Sequence, residues 1–402
     1  MMMPGENQML RIYRWLRWPL LLLAAAGLIL LADWRLTRPD VLQWDDTVEY
    51  WAAGRLNARG QNPYAPEALH RLERQAGRPL EEPLMMWNPP WLLALVMPLG
   101  LLPYPAARVL WFLLHLAAVF FASVLIGKET RSPSPARQGL AILLGVSFGP
   151  TLHALKAGQI TPLMLLAPLG FLACFCRHRW GMAGVMAALG LIKPHLLYLF
   201  LAAVLLDALV HRRRNVLLGF IGAVALSSGL ATAANPRVWE QYAYAVTHYP
   251  PKDWATPTLG GFLRLLLGVE HFWLQFLPPA LGLLWLLFYW HRHRRTWQWE
   301  QHIPLLVLVS ATTAAYGWTF DFPVMLVALI PALIRLVEIR HRPAAVALLA
   351  VYLIIDAISL FTSWDQIFYA WMAPSLLLWY LLAERTYQQQ MVTACPRIVS
   401  SA

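Results

Sequence analysis

The chain has 402 residues, 59% of them hydrophobic and only 13% charged, whereas charged residues make up about 25% of soluble domains. This excludes a soluble enzyme or a disordered scaffold and places the chain in lipid. The net charge of +11 does not read as a nucleic-acid surface, because Lys and Arg fall in short clusters between apolar runs, which is a topology signal. Cys174, Cys176 and Cys395 form no disulfide framework and are expected to be reduced. The 20 Trp residues, many at segment ends, fit an interfacial aromatic belt.

In chain order, Arg11, Arg14 and Arg17 precede an apolar run over 18–32 that Trp15 and Trp34 extend to spanning length. A cleavable leader is the competing reading, but Leu31-Ala32-Asp33-Trp34 is a poor cleavage site, so a retained first helix with its N-terminus inside is expected. A long polar outer loop follows over 33–105. It holds the acidic, aromatic, turn-rich stretch Trp44-Asp45-Asp46-Thr47-Val48-Glu49-Tyr50-Trp51, an amphipathic helix over 66–78 and Trp87-Asn88-Pro89-Pro90-Trp91. The apolar run over 92–102 falls short of the roughly twenty residues a span needs. If it crossed, every later basic cluster would lie outside, so 89–102 is read as a re-entrant or interfacial helix.

The remaining spans then alternate consistently: 106–126, 140–155, 160–176, 181–192, 196–210, 216–233, 272–290, 303–315, 322–337, 344–361 and 367–382. Basic clusters at Lys128, Arg131, Arg137, Arg177, Arg212, Arg292, Arg340 and Arg385 lie inside. A second outer loop covers 234–270, and a cytoplasmic tail covers 384–402. The expected architecture is a single all-α integral membrane domain over 1–402 with about twelve transmembrane helices and no internal repeat.

Under this topology Asp46, His153, Lys156, Gln159, Lys193, His195, His248, Lys252, Arg264, Asp321 and Asp356 collect near the outer boundary. Asp45 and Asp46 read either as solvated loop charges paired with Arg35 or Arg55, or as carboxylates whose aromatic surround suits a base. Lys193 sits where the short 181–192 helix breaks; it either lines a polar cavity or snorkels to the surface. Lys156 either binds phosphate or caps a helix end, and Arg264 and Lys252 are phosphate ligands or interfacial anchors. His153, His195 and His248 lack metal-ligand spacing, so no metal is expected. Asp356 is expected to face the bundle and pair with a cation.

The ordered motifs resemble glycosyltransferase family 87, polyprenyl-phosphate-mannose-dependent mannosyltransferases that share the glycosyltransferase-C architecture. Its pattern of an Asp four residues before a Tyr, then an aromatic, small residues and Gly-x-x-x-Tyr falls on Asp46, Tyr50, Trp51, Ala52-Ala53, and Gly60 with Tyr64. Next come Asn88-Pro89-Pro90 with Pro98-Leu99-Gly100, the Gly158-Gln159 turn, and Ile192-Lys193-Pro194. The similarity runs from about Asp46 to Pro331. Actinobacterial members carry Trp-Ser-His-His at the late outer turn, where this chain has Trp318-Thr319-Phe320-Asp321.

The resemblance implies inverting transfer of a hexose, mannose first, from a polyprenyl-phosphate donor to a lipid or glycan acceptor. It also implies a bacterial plasma-membrane location, both termini cytoplasmic and the site on the outer face. Asp46 would be the base, with Asp45 or Asp321 as a possible second carboxylate, and Lys193, Lys156, Arg264 and Lys252 would face the donor phosphate. Tyr50, Trp51, Tyr64, Asn88, Gln159, His195 and His248 would line the substrate, with Trp44, Trp51 and Trp87 stacking on sugar faces. No cofactor is expected, since the lipid-linked sugar is itself a co-substrate and no nucleotide-binding glycine loop is present. The rivals are a secondary transporter and a non-catalytic partner in envelope assembly; the absence of paired halves and the long first outer loop weigh against the transporter.

Overall fold

A computed structural model describes residues 45–128, 134–251, 254–362 and 365–394; the expected first span, Trp44, Lys252 and Cys395 lie outside these residues. The described residues contain helices and turns and no strand. In order, the α-helices are α1 (Thr47–Ala58), α2 (Pro66–Gln75), α3 (Leu93–Gly100), α4 (Tyr104–Lys128), α5 (Pro135–Ser147), α6 (Gly149–Ala157), α7 (Thr161–Met164), α8 (Leu166–Cys176) and α9 (Trp180–Ala188). They continue with α10 (Tyr198–Val210), α11 (Arg214–Ala234), α12 (Val238–His248), α13 (Leu259–Leu267), α14 (Leu277–His293), α15 (Trp299–Thr312), α16 (Leu326–Glu338), α17 (Pro343–Phe361) and α18 (Met372–Ala394).

Among the described residues six helical stretches are long and apolar enough to cross a membrane: Tyr104–Lys128, Arg214–Ala234, Phe272–His293, Thr319–Glu338, Pro343–Phe361 and Gln366–Met391. The pair α5 and α6, bent by 56°, makes a seventh if it is one span. About twelve crossings are expected from hydropathy, the first of them outside the described residues. The remaining apolar pieces, Pro90–Gly100, Thr161–Cys176, Trp180–Ile192 and Tyr198–Val210, are 10–17 residues long. Their apolar runs are interrupted by 3-10 turns at Leu189–Ile192 and Pro194–Leu196, and by the α7–α8 joint at Leu165. The membrane setting shows in the outer helices: of the 21 residues of α11 only Val216 and Ala231 are buried, and Leu226, Phe288 and Leu353 point outward at 66%, 67% and 63% exposure. A soluble protein does not leave so much contiguous apolar surface bare.

Three local features differ from the sequence expectation. The stretch after Asp46 is the helix α1 and not a series of turns; Thr47 through Gly54, Leu56 and Asn57 are all buried, so there is no polar face to give an amphipathic period. The terminal segment expected as a tail from 384 continues α18 to Ala394. The amphipathic helix expected over 66–78 ends at Gln75, and Arg78 folds back onto the buried Glu73 at 2.8 Å.

α1 is held tightly against α3. A Cβ on Gly54 would lie 2.3 Å from the Val96 carbonyl oxygen and one on Gly100 2.2 Å from the Arg55 nitrogen, so only glycine permits this crossing. Arg55 Nε then donates to Gly100 O (2.8 Å), its guanidinium lies 4.6 Å from the Trp51 ring centroid, and Trp51 Nε1 donates to Leu102 O (2.9 Å). This clamp holds the middle and C-terminal half of α1; its N-terminal end is held by Asp46 N donating to Ala157 O (2.8 Å).

Candidate active site

A cavity of about 510 Å³ opens where six segments meet: the first turn of α1, the loop over 83–89, the α6–α7 turn, the break between α9 and α10, the segment over 316–321, and α12 with its following loop. Asp46, Glu49, Tyr50, Trp87, Asn88, Gln159, Lys193, His195, Tyr242, Trp254, Trp318 and Asp321 are among its walls.

The two adjacent carboxylates have separate environments. Asp45 is 1% exposed; one oxygen accepts from Tyr104 Oη (2.9 Å) and lies 2.6 Å from Arg108 Nε, and the other accepts from Thr47 N (3.0 Å). It is an internal tie between α1 and α4 and does not line the cavity. Asp46, only partly buried, does, and its Oδ2 accepts a hydrogen bond from Gln159 Nε2.

Gln159 is placed by Gly158, which closes α6 in the left-handed region (φ 67°) that a side chain disfavours. The turn is held by Trp111 Nε1 donating to Gly158 O (2.8 Å). Gln159 Oε1 accepts from Lys193 Nζ (2.8 Å) and Tyr50 Oη (3.3 Å), so its NH₂ group is left to face Asp46.

Lys193 Nζ also donates to Asp321 Oδ1 (2.7 Å), which accepts from Thr161 Oγ1 (2.5 Å), while Asp321 Oδ2 accepts from Trp318 N (3.0 Å). Asp46, Gln159, Lys193, Asp321 and Thr161 therefore form one continuous polar chain across the cavity wall. The short motifs are physically joined in the same way. Tyr64 Oη donates to Asn88 O (3.0 Å), Asn88 Nδ2 donates to Ile192 O (2.8 Å), and Trp91 Nε1 donates to Leu191 O (2.9 Å), fixing the break that presents Lys193.

Among the described residues Lys193 is the only Lys or Arg lining the cavity. Desolvation lowers the His195 pKa to about 4; Lys193 reinforces the effect and Asp321 opposes it, so the imidazole is neutral at pH 7. The Glu49 carboxyl is pushed well above the usual carboxylate range, first by burial and then by the neighbouring charge of Asp46. Among the described residues no group of three or more His, Cys, Asp or Glu side chains is arranged to hold a metal.

Several expected site residues lie elsewhere. Trp51 is buried in the α1–α3 clamp, and Tyr64 acts one layer behind Asn88. Lys156 is exposed near the end of α6, outside the cavity. Arg264 is turned toward its own segment: it donates to Val269 O (2.8 Å) and to Gln275 Oε1 (3.2 Å), while Gln275 Nε2 donates to Ala315 O, tying this segment to the residue before the cavity-lining Tyr316. His248 is exposed and stacked on Tyr244, with ring centroids 3.8 Å apart. Among the described residues Asp356 forms no ion pair with a cation; it accepts from Gly149 N (2.8 Å) and caps α6 at the bend. Conversely, Glu49, Trp254, Thr161 and Tyr316 were not singled out. For Glu49 the signal was its position three residues after Asp46, legible only once the stretch is taken as helix.

A family model described as glycosyltransferase family 87 matches residues 87–355. The chain belongs to glycosyltransferase family 87. Asn88, Gln159, Lys193, His195 and Asp321 fall within the match, whereas α1 with Asp46 precedes it. No curated protein and no solved structure matches the chain. As a member of this family the protein is a membrane glycosyltransferase, with a sugar donor and an acceptor as its substrates.

Proposed function

We propose that the protein moves a hexose, mannose first among candidates, from a polyprenyl-phosphate donor to a lipid or glycan acceptor, with inversion at the anomeric carbon. The reading adopts a glycosyltransferase-C fold in a bacterial plasma membrane, with cytoplasmic termini and the cavity on the outer face. Its main support is the division between the two adjacent carboxylates: Asp45 is tied to Arg108, while Asp46 faces the cavity in a chain that runs through Gln159 to Lys193 and beyond.

Chemically, Asp46 takes the acceptor proton as the hydroxyl oxygen attacks the anomeric carbon in a single displacement. The bond from that carbon to the phosphate oxygen breaks, and the polyprenyl phosphate leaves as a stable anion that needs no general acid. Lys193 meets the charge developing on the phosphate, and Asp321 holds the ammonium in place until the donor arrives. Trp87, Trp254 and Trp318 offer faces for the sugar rings. No cofactor is required by this chemistry.

The test is transfer by the purified protein in nanodiscs, given polyprenyl-phosphate-mannose and a membrane lipid extract. A new glycolipid whose anomeric configuration is opposite to the donor's is the expected result. No transfer from mannose or any other polyprenyl-linked hexose, with solute transport in liposomes instead, overturns the reading.

A further inference from the structure

Glu49 stands one helical turn from Asp46, and both carboxyls line the same cavity. The residue is 7% exposed, and among the described residues no group hydrogen-bonds its carboxyl. Every other carboxylate in the cavity wall has a partner: Asp46 has Gln159, and Asp321 has Lys193, Thr161 and Trp318. The Glu49 carboxyl oxygens are not among the enclosed unpartnered atoms of the described residues, so they open onto the cavity, where a ligand hydroxyl can reach them. The buried Glu73–Arg78 pair holds the adjoining wall, with Leu84 N donating to Glu73 Oε1 (3.0 Å), so Glu49 borders a fixed cleft and not a mobile loop.

The charge layout says which substrate meets it. Lys193 is the cation in the wall that attracts phosphate, whereas the Asp46 carboxylate repels it. What fits beside two carboxyls is a hydroxyl-bearing group. Burial, and after it the charge of Asp46, favour the protonated form of Glu49, which both donates and accepts; this matches a sugar hydroxyl and leaves Asp46 to take the proton.

We infer that Glu49 binds the acceptor by hydrogen-bonding the hydroxyl next to the one Asp46 deprotonates, so the acceptor is a sugar-bearing molecule with neighbouring hydroxyls and not a simple alcohol. This rests on the transferase reading above. It assigns Glu49 to acceptor binding, while Lys193 remains with the donor.

The experiment is steady-state transfer from polyprenyl-phosphate-mannose to octyl α-D-mannoside, its single-deoxy analogues, and octanol. Wild type, Glu49→Leu and Glu49→Gln are compared after checking monodispersity and Tm. Glu49→Leu is expected to raise KM for octyl mannoside about tenfold with the donor KM unchanged within twofold, and Glu49→Gln to recover most of the loss. One deoxy analogue should be about tenfold poorer for wild type and show no further loss with Glu49→Leu, because the two changes remove the same bond.

A wild-type acceptor KM in folded Glu49→Leu, a rise in donor KM instead, or additive losses with every analogue would each overturn the assignment. So would octanol serving as well as octyl mannoside, or transfer to a membrane lipid extract with octyl mannoside refused. In all these outcomes wild type still transfers sugar, so the transferase reading survives; a wild type that transfers nothing to any acceptor removes both.

Discussion

The helices around the cavity are broken where the lipid-facing ones run through. α4 and α11 extend for 25 and 21 residues without interruption, whereas α5 and α6 bend by 56°, α9 gives way to 3-10 turns before α10, and α16 is entered through the 3-10 segment Thr319–Met325. In lipid, a break leaves backbone groups that must find partners inside the protein. Here side chains supply them: Asp356 takes Gly149 N, Asn88 and Trp91 take Ile192 O and Leu191 O, and Asp321 takes Trp318 N. The polar residues near apolar segments therefore perform two tasks, closing breaks and presenting chemistry, and Asp321 does both.

Substitutions can separate the two tasks. The largest effect is expected at Asp45, where replacement by Ala leaves Arg108 buried without its carboxylate; a loss of about 3–5 kcal/mol should appear as a lower Tm and poor recovery of folded protein. A well-folded, active Asp45→Ala protein would break the distinction drawn between the neighbours. Lys193→Met should reduce kcat by roughly 10²–10³ by removing the cation from the cavity, while detergent-solubilised protein keeps its elution profile. Wild-type turnover in that variant would make Lys193 a closure residue only. Gly54→Ala forces α1 away from Val96, and a destabilisation of about 1–3 kcal/mol is expected in thermal unfolding, with activity per folded molecule also reduced because α1 carries Asp46. Smallest is Leu226→Ala on the outward face of α11, within about 0.5 kcal/mol of wild type and with unchanged transfer; a large effect there would show that this face has a protein neighbour and not lipid.

The legible parts were those with a simple physical signature. Long apolar runs such as α4, α11 and α17 were found within a few residues, because a spanning helix needs little beyond length and composition. Of the shorter apolar runs, 160–176, 181–192 and 196–210 enter the expected count of about twelve, and hydropathy does not register the 3-10 turns that follow α9. Gln159, Lys193 and Asp321 were legible as polar residues at the ends of apolar segments, and the structure brings them into one chain of hydrogen bonds. Glu49 escaped because α1 is buried on almost every side and shows no helical stripe. Arg264 and Lys156 looked like phosphate ligands because a cation near a helix end reads the same whether it faces a cavity or its own segment's carbonyls. Which of Asp45 and Asp46 faces the substrate depends on Tyr104 and Arg108, and no local pattern connects those two to the motif.

The central claim is that Asp46 is the base, and the most direct test is the turnover of Asp46→Asn on a polyprenyl-phosphate sugar, measured per folded molecule. The substitution keeps shape and removes the proton acceptor. A Tm close to wild type with transfer reduced by at least about 10²-fold is the expected result. Transfer at the wild-type rate by folded Asp46→Asn would contradict the account and move the proton to another group in the cavity.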